Sequence, residues 1–345
     1  MEQQEILSAL KAERKSSLDD LSMLYSGHQF KGGILTIILQ IDVALDDVAR
    51  KHLEVRAKAA LSKLPEIAEG ASIRVVFTSA QAMQKSVNTP KQGKIRMKPE
   101  GVRKIILVTS GKGGVGKSTV AANLAIALMD LGHKVGLLDA DIYGPSTPKL
   151  FGVQKQPNLE NDYMLPITSC GISLMSMGFL VAPETAAVWR GPMVSKALQH
   201  MLMQTKWGNL DYLIIDTPPG TGDVHLSLAE NYQVDAAIVV TTPQDLAVID
   251  AQKTVDMFAK VGIPVLGVVE NMSYLIDTAS GNHIYIFGKD GGVNLAKKHD
   301  IPILAQIPLI PEVASSSDAG KPLTYYKHNS GITHIFTALA QSVAR

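Results

Sequence analysis

Residues 111–119 read Gly111-Lys112-Gly113-Gly114-Val115-Gly116-Lys117-Ser118-Thr119, and this stretch decides the fold. Gly111, Gly116, Lys117 and Ser118 satisfy G-x-x-x-x-G-K-[ST], the spacing of a phosphate-binding loop. A phosphate chain needs several inward N–H groups with no Cβ atoms in the way, and Gly113 and Gly114 extend that bare backbone. In such a loop Lys117 reaches the β- and γ-phosphates, and the Ser118 hydroxyl joins the shell of a Mg²⁺ ion. The whole run is the candidate site for a nucleoside triphosphate.

The flanks agree with this reading. Residues 104–110, KIILVTS, form an apolar, β-branched run that predicts a buried strand. Residues 119–131 carry Ala121, Leu124, Ala125 and Leu128 on one helical face. The loop therefore joins a strand to a helix N-terminus, where orphan N–H groups and the helix dipole favour an anion. Gly111, Gly113 and Gly116 also fit G-x-G-x-x-G, with Asp139 placed like a ribose-binding carboxylate. A dinucleotide site has no use for Lys117-Ser118-Thr119, so the triphosphate reading is preferred.

Composition bounds the rest. The 345 residues suit one large domain and a small one, with 46% apolar residues to build cores. A net charge of +1 leaves no electrostatic footprint for nucleic acid. No apolar run reaches the roughly 18 residues of a membrane span, and the first residues lack an apolar signal core, which predicts cytoplasmic residence. The single cysteine, Cys170, excludes an intramolecular disulfide and any multi-cysteine metal site within one chain. It lies on an apolar stretch, ITSCGISLMSMGF, that predicts a buried structural thiol.

Residues 86–103 are basic, contain two prolines and lack apolar periodicity, which reads as a linker. Residues 1–85 before it predict a small α+β module: a helix over 3–24, a strand in GGILTIILQIDV, a long amphipathic helix over 45–64 and a strand in SIRVVFTSA. Its histidines sit in unrelated settings, so partner binding or regulation is the expected role. Residues 104–345 alternate strand and helix patterns, including helices over 195–203 and 246–260. The runs YLIID, AAIVVTT, VLGVVEN and ILAQIPL are short and near-continuous, like strands covered on both faces. The fold class is thus α/β, a doubly wound and mostly parallel sheet with a small N-terminal α+β domain.

Such sheets place ligands at the carboxyl ends of their strands. Three ends carry polar motifs. In LLDADIYGPS, Asp139 and Asp141 stand two residues apart and share a side if the strand runs through both. In YLIIDTPPGTGD, Asp216 ends a strand like a magnesium-holding aspartate, and the stiff turn after it is placed to sense a γ-phosphate. In VVENMS, Asn271 is placed for a purine edge. Asp223 and Glu270 read equally well as ligands, helix caps or core hydrogen-bonding residues. The six histidines beyond His133 show no ligand spacing and read as solvated or packed.

The loop with two lysines resembles the deviant Walker A motif of the MinD/ParA/nitrogenase-iron-protein class of ATPases. The stretches LLDADIYGPSTPKLFG, VWRGPMVSKALQ, LDYLIIDTPPGTGDVHLSLAE, VVTTPQDLAVIDAQK and GVVENMSY narrow this to the Mrp/ApbC branch, ATPases implicated in carrying iron–sulfur clusters. The resemblance covers residues 104–321, and more weakly the N-terminal module. It implies a homodimer in which Lys112 crosses to the partner's ATP, Asp141 positions the attacking water, and Ser118, Asp139 and Asp216 surround Mg²⁺. Lys112, Lys117 and Asp141 are then the catalytic set, and iron–sulfur assembly or recipient proteins are the implied partners.

One departure stands out. The resemblance implies a C-x-x-C pair after ENMS, which iron–sulfur carriers of this branch usually have, one pair per subunit, so that two subunits can hold one [4Fe–4S] cluster. Here the stretch reads ENMSYLIDTASG, with Asp277 and Ser280 in those places. A carboxylate and a hydroxyl are poor substitutes for soft thiolates, so no iron–sulfur ligands are assigned. Two function classes stay open: an ATPase of cluster assembly, or a MinD/ParA-like nucleotide-gated switch acting on another protein or surface. The final stretch, GITHIFTALAQSVAR, has few basic residues on its polar face, which predicts a docked terminal helix rather than a membrane-targeting one.

Overall fold

Apolar strand runs and amphipathic helices sort into two units in the computed structural model, residues 1–93 and 94–345. The structure describes residues 6, 10, 21, 24–31, 34–40, 47–62, 64, 67, 72–78, 96–180, 191–327 and 330–345. In the first unit β1 (Tyr25–Lys31) runs antiparallel to β2 (Ile34–Gln40), which pairs in parallel with β3 (Ser72–Thr78). The helix α1 (Asp47–Leu61) makes the crossover. Leu35, Ile37 and Leu39 alternate inward along β2 and meet Ala57, Ala60 and Leu61 of α1. Strand β1 has no counterpart in the sequence reading, because YSGHQFK is too polar to show a period of two. Most of the helix expected over 3–24 lies outside the described residues.

The second unit begins earlier than expected. Met97 exchanges backbone hydrogen bonds with Asn231 and Gln233, and β4 (Val102–Thr109) starts inside the presumed linker. Lys98 pairs with Asp235 at 3.2 Å and Arg103 with Asp211 at 3.3 Å. These basic residues look like tether in the sequence because their acidic partners lie more than a hundred positions away.

From β4 the chain runs through α2 (Lys117–Asp130), β5 (Val135–Asp139) and α3 (Thr147–Leu150) to a ribbon of β6 (Leu159–Glu160) and β7 (Tyr163–Met164). Then come β8 (Ile167–Ser169), β9 (Ile172–Ser176), α4 (Gly191–Met203), β10 (Leu210–Asp216), α5 (Asp223–Asn231), β11 (Ala236–Thr241) and α6 (Asp245–Val261). The last part comprises β12 (Val265–Asn271), a hairpin of β13 (Leu275–Ile276) and β14 (His283–Ile284), α7 (Gly291–Lys298), β15 (Ile303–Ile307), α8 (Pro311–Asp318), α9 (Leu323–Tyr326) and α10 (Gly331–Ala344).

Eight strands form one sheet in the order β15-β12-β11-β4-β10-β5-β9-β8. All neighbours are parallel except β8, which returns antiparallel to β9 at the edge. Strands β5 and β11 are buried along their whole length, as expected for strands covered by helices on both faces. On one face lie α2 and α10; on the other lie α4, α5 and Phe258 of α6. Helix α2 was expected to bury one face, yet every residue from Val120 to Leu128 is buried. It is covered by the sheet on one side and by α9 and α10 on the other. The terminal α10 docks through Ile332, Phe336, Leu339 and Val343.

Cys170 occupies the β8–β9 turn at φ 47°. It is half-buried rather than fully buried, and partial burial raises its thiol pKa.

Candidate nucleotide site

The site forms where β4 ends and α2 begins. Gly116 takes φ 84° as the N-cap of α2, and no side chain caps that helix. Its first-turn N–H groups therefore stay available to an anion. Two of the glycines are dictated by close approach. A Cβ on Gly111 would collide with the backbone of Asp250 in α6, and one on Gly116 would collide with the Asn271 amide. Lys112 is exposed at the loop tip, and its carbonyl accepts a hydrogen bond from Ser110 Oγ at 2.9 Å.

Parallel register brings the acidic residues to the same level. Asp216 is paired with Val108 of β4 on one side and with Asp139 of β5 on the other. Lys117 Nζ donates to Asp216 Oδ1 at 2.5 Å, and their side chains are only 7% and 2% exposed. Asp216 Oδ2 is buried with no hydrogen-bond partner. Burial raises the Asp216 pKa, with Lys117 pulling against it. Burial, and then the Asp216 charge, push Asp139 up to about 7.

The two Asp139 oxygens are already engaged. Oδ2 accepts from the backbone N–H groups of Ser146 and Thr147 at 2.9 Å each and from Ser176 Oγ at 3.0 Å. Oδ1 accepts from the Asp141 backbone N–H at 3.2 Å. The condition for Asp139 and Asp141 to share a side, a strand running through both, is not met. Strand β5 stops at Asp139, whose carboxylate turns the chain by an Asx-type bond, and Asp141 stands in the loop beyond. There it borders a cavity of about 520 Å³ with Tyr143, Pro218, Pro219, Gly222 and His225. The turn after Asp216 is tied to the phosphate loop through Gly220 N–H and Ser110 O at 2.8 Å.

Asn271 ends β12 on the other flank of the loop. Its Nδ2 donates to the Val115 carbonyl at 2.8 Å, so it braces the loop. It borders a second cavity, about 210 Å³, with Gly116, Thr119, Pro308, Ile310 and Val313. The sequence reading missed the Pro308–Ile310 segment. The signal was present in two prolines straight after a strand's carboxyl end, where open sheets place ligands. Glu270 is resolved as a core hydrogen-bonding residue: it accepts from Ser273, from Gln306 at 2.9 Å, and from Gly292 N–H at the start of α7. Asp223 is the first residue of α5.

A profile of the family described as ParA: NUBPL iron-transfer P-loop NTPase matches residues 101–344. The chain belongs to this family. An iron-sulfur cluster carrier protein of Aquifex aeolicus is 42% identical over 361 residues, covering 99% of this chain and 97% of the relative. The Escherichia coli K12 protein of the same name is 47% identical over 290 residues, covering 83% and 79%. Among solved structures, a nucleotide-binding protein of Archaeoglobus fulgidus in complex with ADP is similar at 36% identity and a TM-score of 0.60, covering 68% of this chain and 93% of that one. The cell division ATPase MinD of Pyrococcus furiosus is similar at 25% identity and a TM-score of 0.54, covering 70% and 98%.

Against that family, the β13–β14 hairpin departs from the expected thiolate chemistry. Ser280 Oγ donates to Asp277 Oδ2, the Ala279 N–H donates to Asp277 Oδ1 at 3.1 Å, and Asn282 N–H donates to Ser280 Oγ at 3.3 Å. The loop is closed by its own hydrogen bonds. Among the described residues no group of three or more His, Cys, Asp or Glu side chains is arranged to hold a metal ion.

Proposed function

We propose that this chain is a magnesium-dependent ATPase that acts in iron–sulfur cluster assembly or transfer without supplying cluster thiolates of its own. The observation that carries the ATPase reading is the buried Lys117–Asp216 pair with one Asp216 oxygen left unpartnered. A carboxylate at 1% exposure with a bare oxygen is costly unless a cation completes it, and Ser118 adjoins it. Residues and group fit. Ser118 and Asp216 hold the Mg²⁺, which when bound neutralises charge on the phosphates. Asp139 contributes at one remove: it fixes the loop that carries Asp141 and lowers the local potential beside the ion.

The other roles follow from placement. The uncapped first turn of α2 and residues 111–119 bind the phosphates, and Lys117 turns from Asp216 to the β/γ-phosphates when ATP enters. Asp141, free of the strand and beside the cavity, orients the attacking water. The base takes the cavity between Asn271 and Pro308. Lys112 is exposed at the loop tip, which suits reaching the phosphates of a second copy, so hydrolysis is slow until a homodimer closes. The described residues include no helix long and apolar enough to cross a membrane. The working compartment in this account is the cytoplasm, with proteins of cluster assembly or cluster recipients as partners and no nucleic acid.

The names of the relatives support the cluster role, and the Asp277–Ser280 loop limits it: the thiolates must come from the partner. That same loop favours a second reading, a MinD/ParA-like switch whose cargo is another protein or surface. The test of the ATPase assignment is phosphate release with Mg·ATP by the parent, Lys112→Ala and Asp141→Ala proteins. Both variants are expected to lose at least about tenfold, the loss of about 1.4 kcal/mol of transition-state stabilisation. Unchanged rates in either would defeat the role given to that residue.

A further inference from the structure

We propose that His225 is a positioning residue that links the turn after Asp216 to the strand end feeding the phosphate loop, so that the turn responds to what the loop holds. The inference rests on the ATPase reading above and names a residue that touches neither nucleotide nor metal.

His225 lies in the first turn of α5 and is 1% exposed. Its Nε2 is 3.0 Å from Thr109 Oγ1 and 3.0 Å from Thr217 Oγ1. Thr109 ends β4, two residues before Gly111; Thr217 directly follows Asp216. Both threonines are fully buried. The Thr217 hydroxyl donates its hydrogen to the Val108 carbonyl at 3.2 Å, so towards the ring it acts only as an acceptor. Nε2 therefore carries the proton, and one N–H is shared between hydroxyls on two strand ends. The ring is neutral at physiological pH: burial, and then the Lys117 ammonium, push its pKa down to about 4.

The ring is also held from behind. Its plane meets Phe258 edge-on at 6.1 Å and 68°, and its backbone N–H donates to the Gly222 carbonyl at 3.1 Å. Nδ1, equally buried, makes no hydrogen bond. On its open side the ring borders the cavity shared with Asp141, Pro218, Pro219 and Gly222. A shift of Thr109 when the loop closes on phosphates thus passes through the ring to Thr217 and to the wall facing Asp141. A histidine present only to fill space would need its ring volume but not its N–H, and that difference is testable.

The variants are His225→Ala, which removes the N–H, and His225→Gln, which keeps an N–H at similar reach. In steady-state hydrolysis, His225→Ala is expected to lower kcat about tenfold, the scale of one hydrogen bond lost from the transition state, with KM for ATP within about twofold. His225→Gln is expected to recover most of kcat. Thr217→Val should cost less kcat in the His225→Ala background than in the parent, since the two changes share the His225–Thr217 link while the Thr217–Val108 bond is lost in both backgrounds. Parental kcat in a folded His225→Ala protein, or a His225→Gln protein as slow as His225→Ala, overturns the proposal. Hydrogen exchange keeps this separate from the ATPase reading. A non-hydrolysable ATP analogue should protect residues 111–119 in both parent and His225→Ala, but residues 217–222 in the parent alone. Equal protection of 217–222 in both overturns the link even if no hydrolysis is seen; no protection of 111–119 in the parent overturns the nucleotide site itself.

Discussion

Replacing Lys117 with methionine removes one half of a buried ion pair and leaves the other half in place. The pair is 2.5 Å apart with side chains 7% and 2% exposed. At an effective dielectric of about 20 the gross attraction is about 7 kcal/mol. Desolvation of both groups offsets much of it, but that cost falls on Asp216 alone once Lys117 is gone. Breaking a buried pair from one side costs about 3–5 kcal/mol. Among the described residues Ser118 is the one side chain left to support the Asp216 carboxylate, so a loss within that range is expected.

The loss should depend on pH with a definite sign. Burial already raises the Asp216 pKa, and the Lys117 charge that pulls it down disappears. A group whose pKa is higher folded than unfolded adds stability below its unfolded pKa, and that stability is lost as pH rises through the folded value. Lys117→Met should therefore be destabilised more at pH 8 than at pH 5. Adding Asp216→Asn should recover most of the loss, and millimolar Mg²⁺ should stabilise Lys117→Met more than the parent. Urea unfolding read by tryptophan fluorescence is the assay, because Trp207 is buried within residues 94–345 and residues 1–93 contain no tryptophan. A loss under about 1 kcal/mol, where surface pairs lie, or one that is equal at both pH values, would refute the reasoning.

Other outcomes follow from the same geometry. Gly116→Ala places a Cβ at φ 84° against the Asn271 amide, so it should cost about 1–2 kcal/mol of stability and weaken ATP binding, measured by calorimetry, by at least about tenfold through loss of the Asn271–Val115 brace. In EDTA, the His225 pKa, lowered from 6.5 to about 4, adds stability above pH 6.5 that is lost towards pH 4. The Asp139 pKa, raised from 3.8 to about 7, acts oppositely, adding stability below pH 4 that is lost towards pH 7. Urea midpoints should thus fall more steeply with rising pH in His225→Gln than in the parent, and fall more steeply on acidification in Asp139→Asn. Identical slopes in all three proteins would contradict the assignment of either group.

The phosphate loop and the carboxyl ends at Asp139, Asp216 and Asn271 were legible because each is a local pattern: a strand run, a turn, a polar residue at the boundary. What escaped depends on partners distant in sequence. Asp139 reads as a metal-facing acid until Ser146, Thr147 and Ser176 are seen to occupy it. Residues 96–103 read as tether until Asp211 and Asp235 arrive opposite their charges. His225 reads as one more packed histidine, since nothing local says that Thr109 and Thr217 converge on its Nε2. The Asp277–Ser280 loop was legible as a loss of thiolates, but not as a hairpin closed by its own hydrogen bonds.

The central claim is an ATPase of the iron-transfer family that carries no cluster ligands of its own. Anaerobic reconstitution with iron and sulfide, read by visible absorption and iron content after desalting, tests it most directly, with D277C/S280C run in parallel. The account predicts no retained cluster in the parent and about four irons per dimer, one [4Fe–4S] cluster, in the double variant. A stable brown parent protein holding about four irons per dimer, the same cluster content, would contradict it.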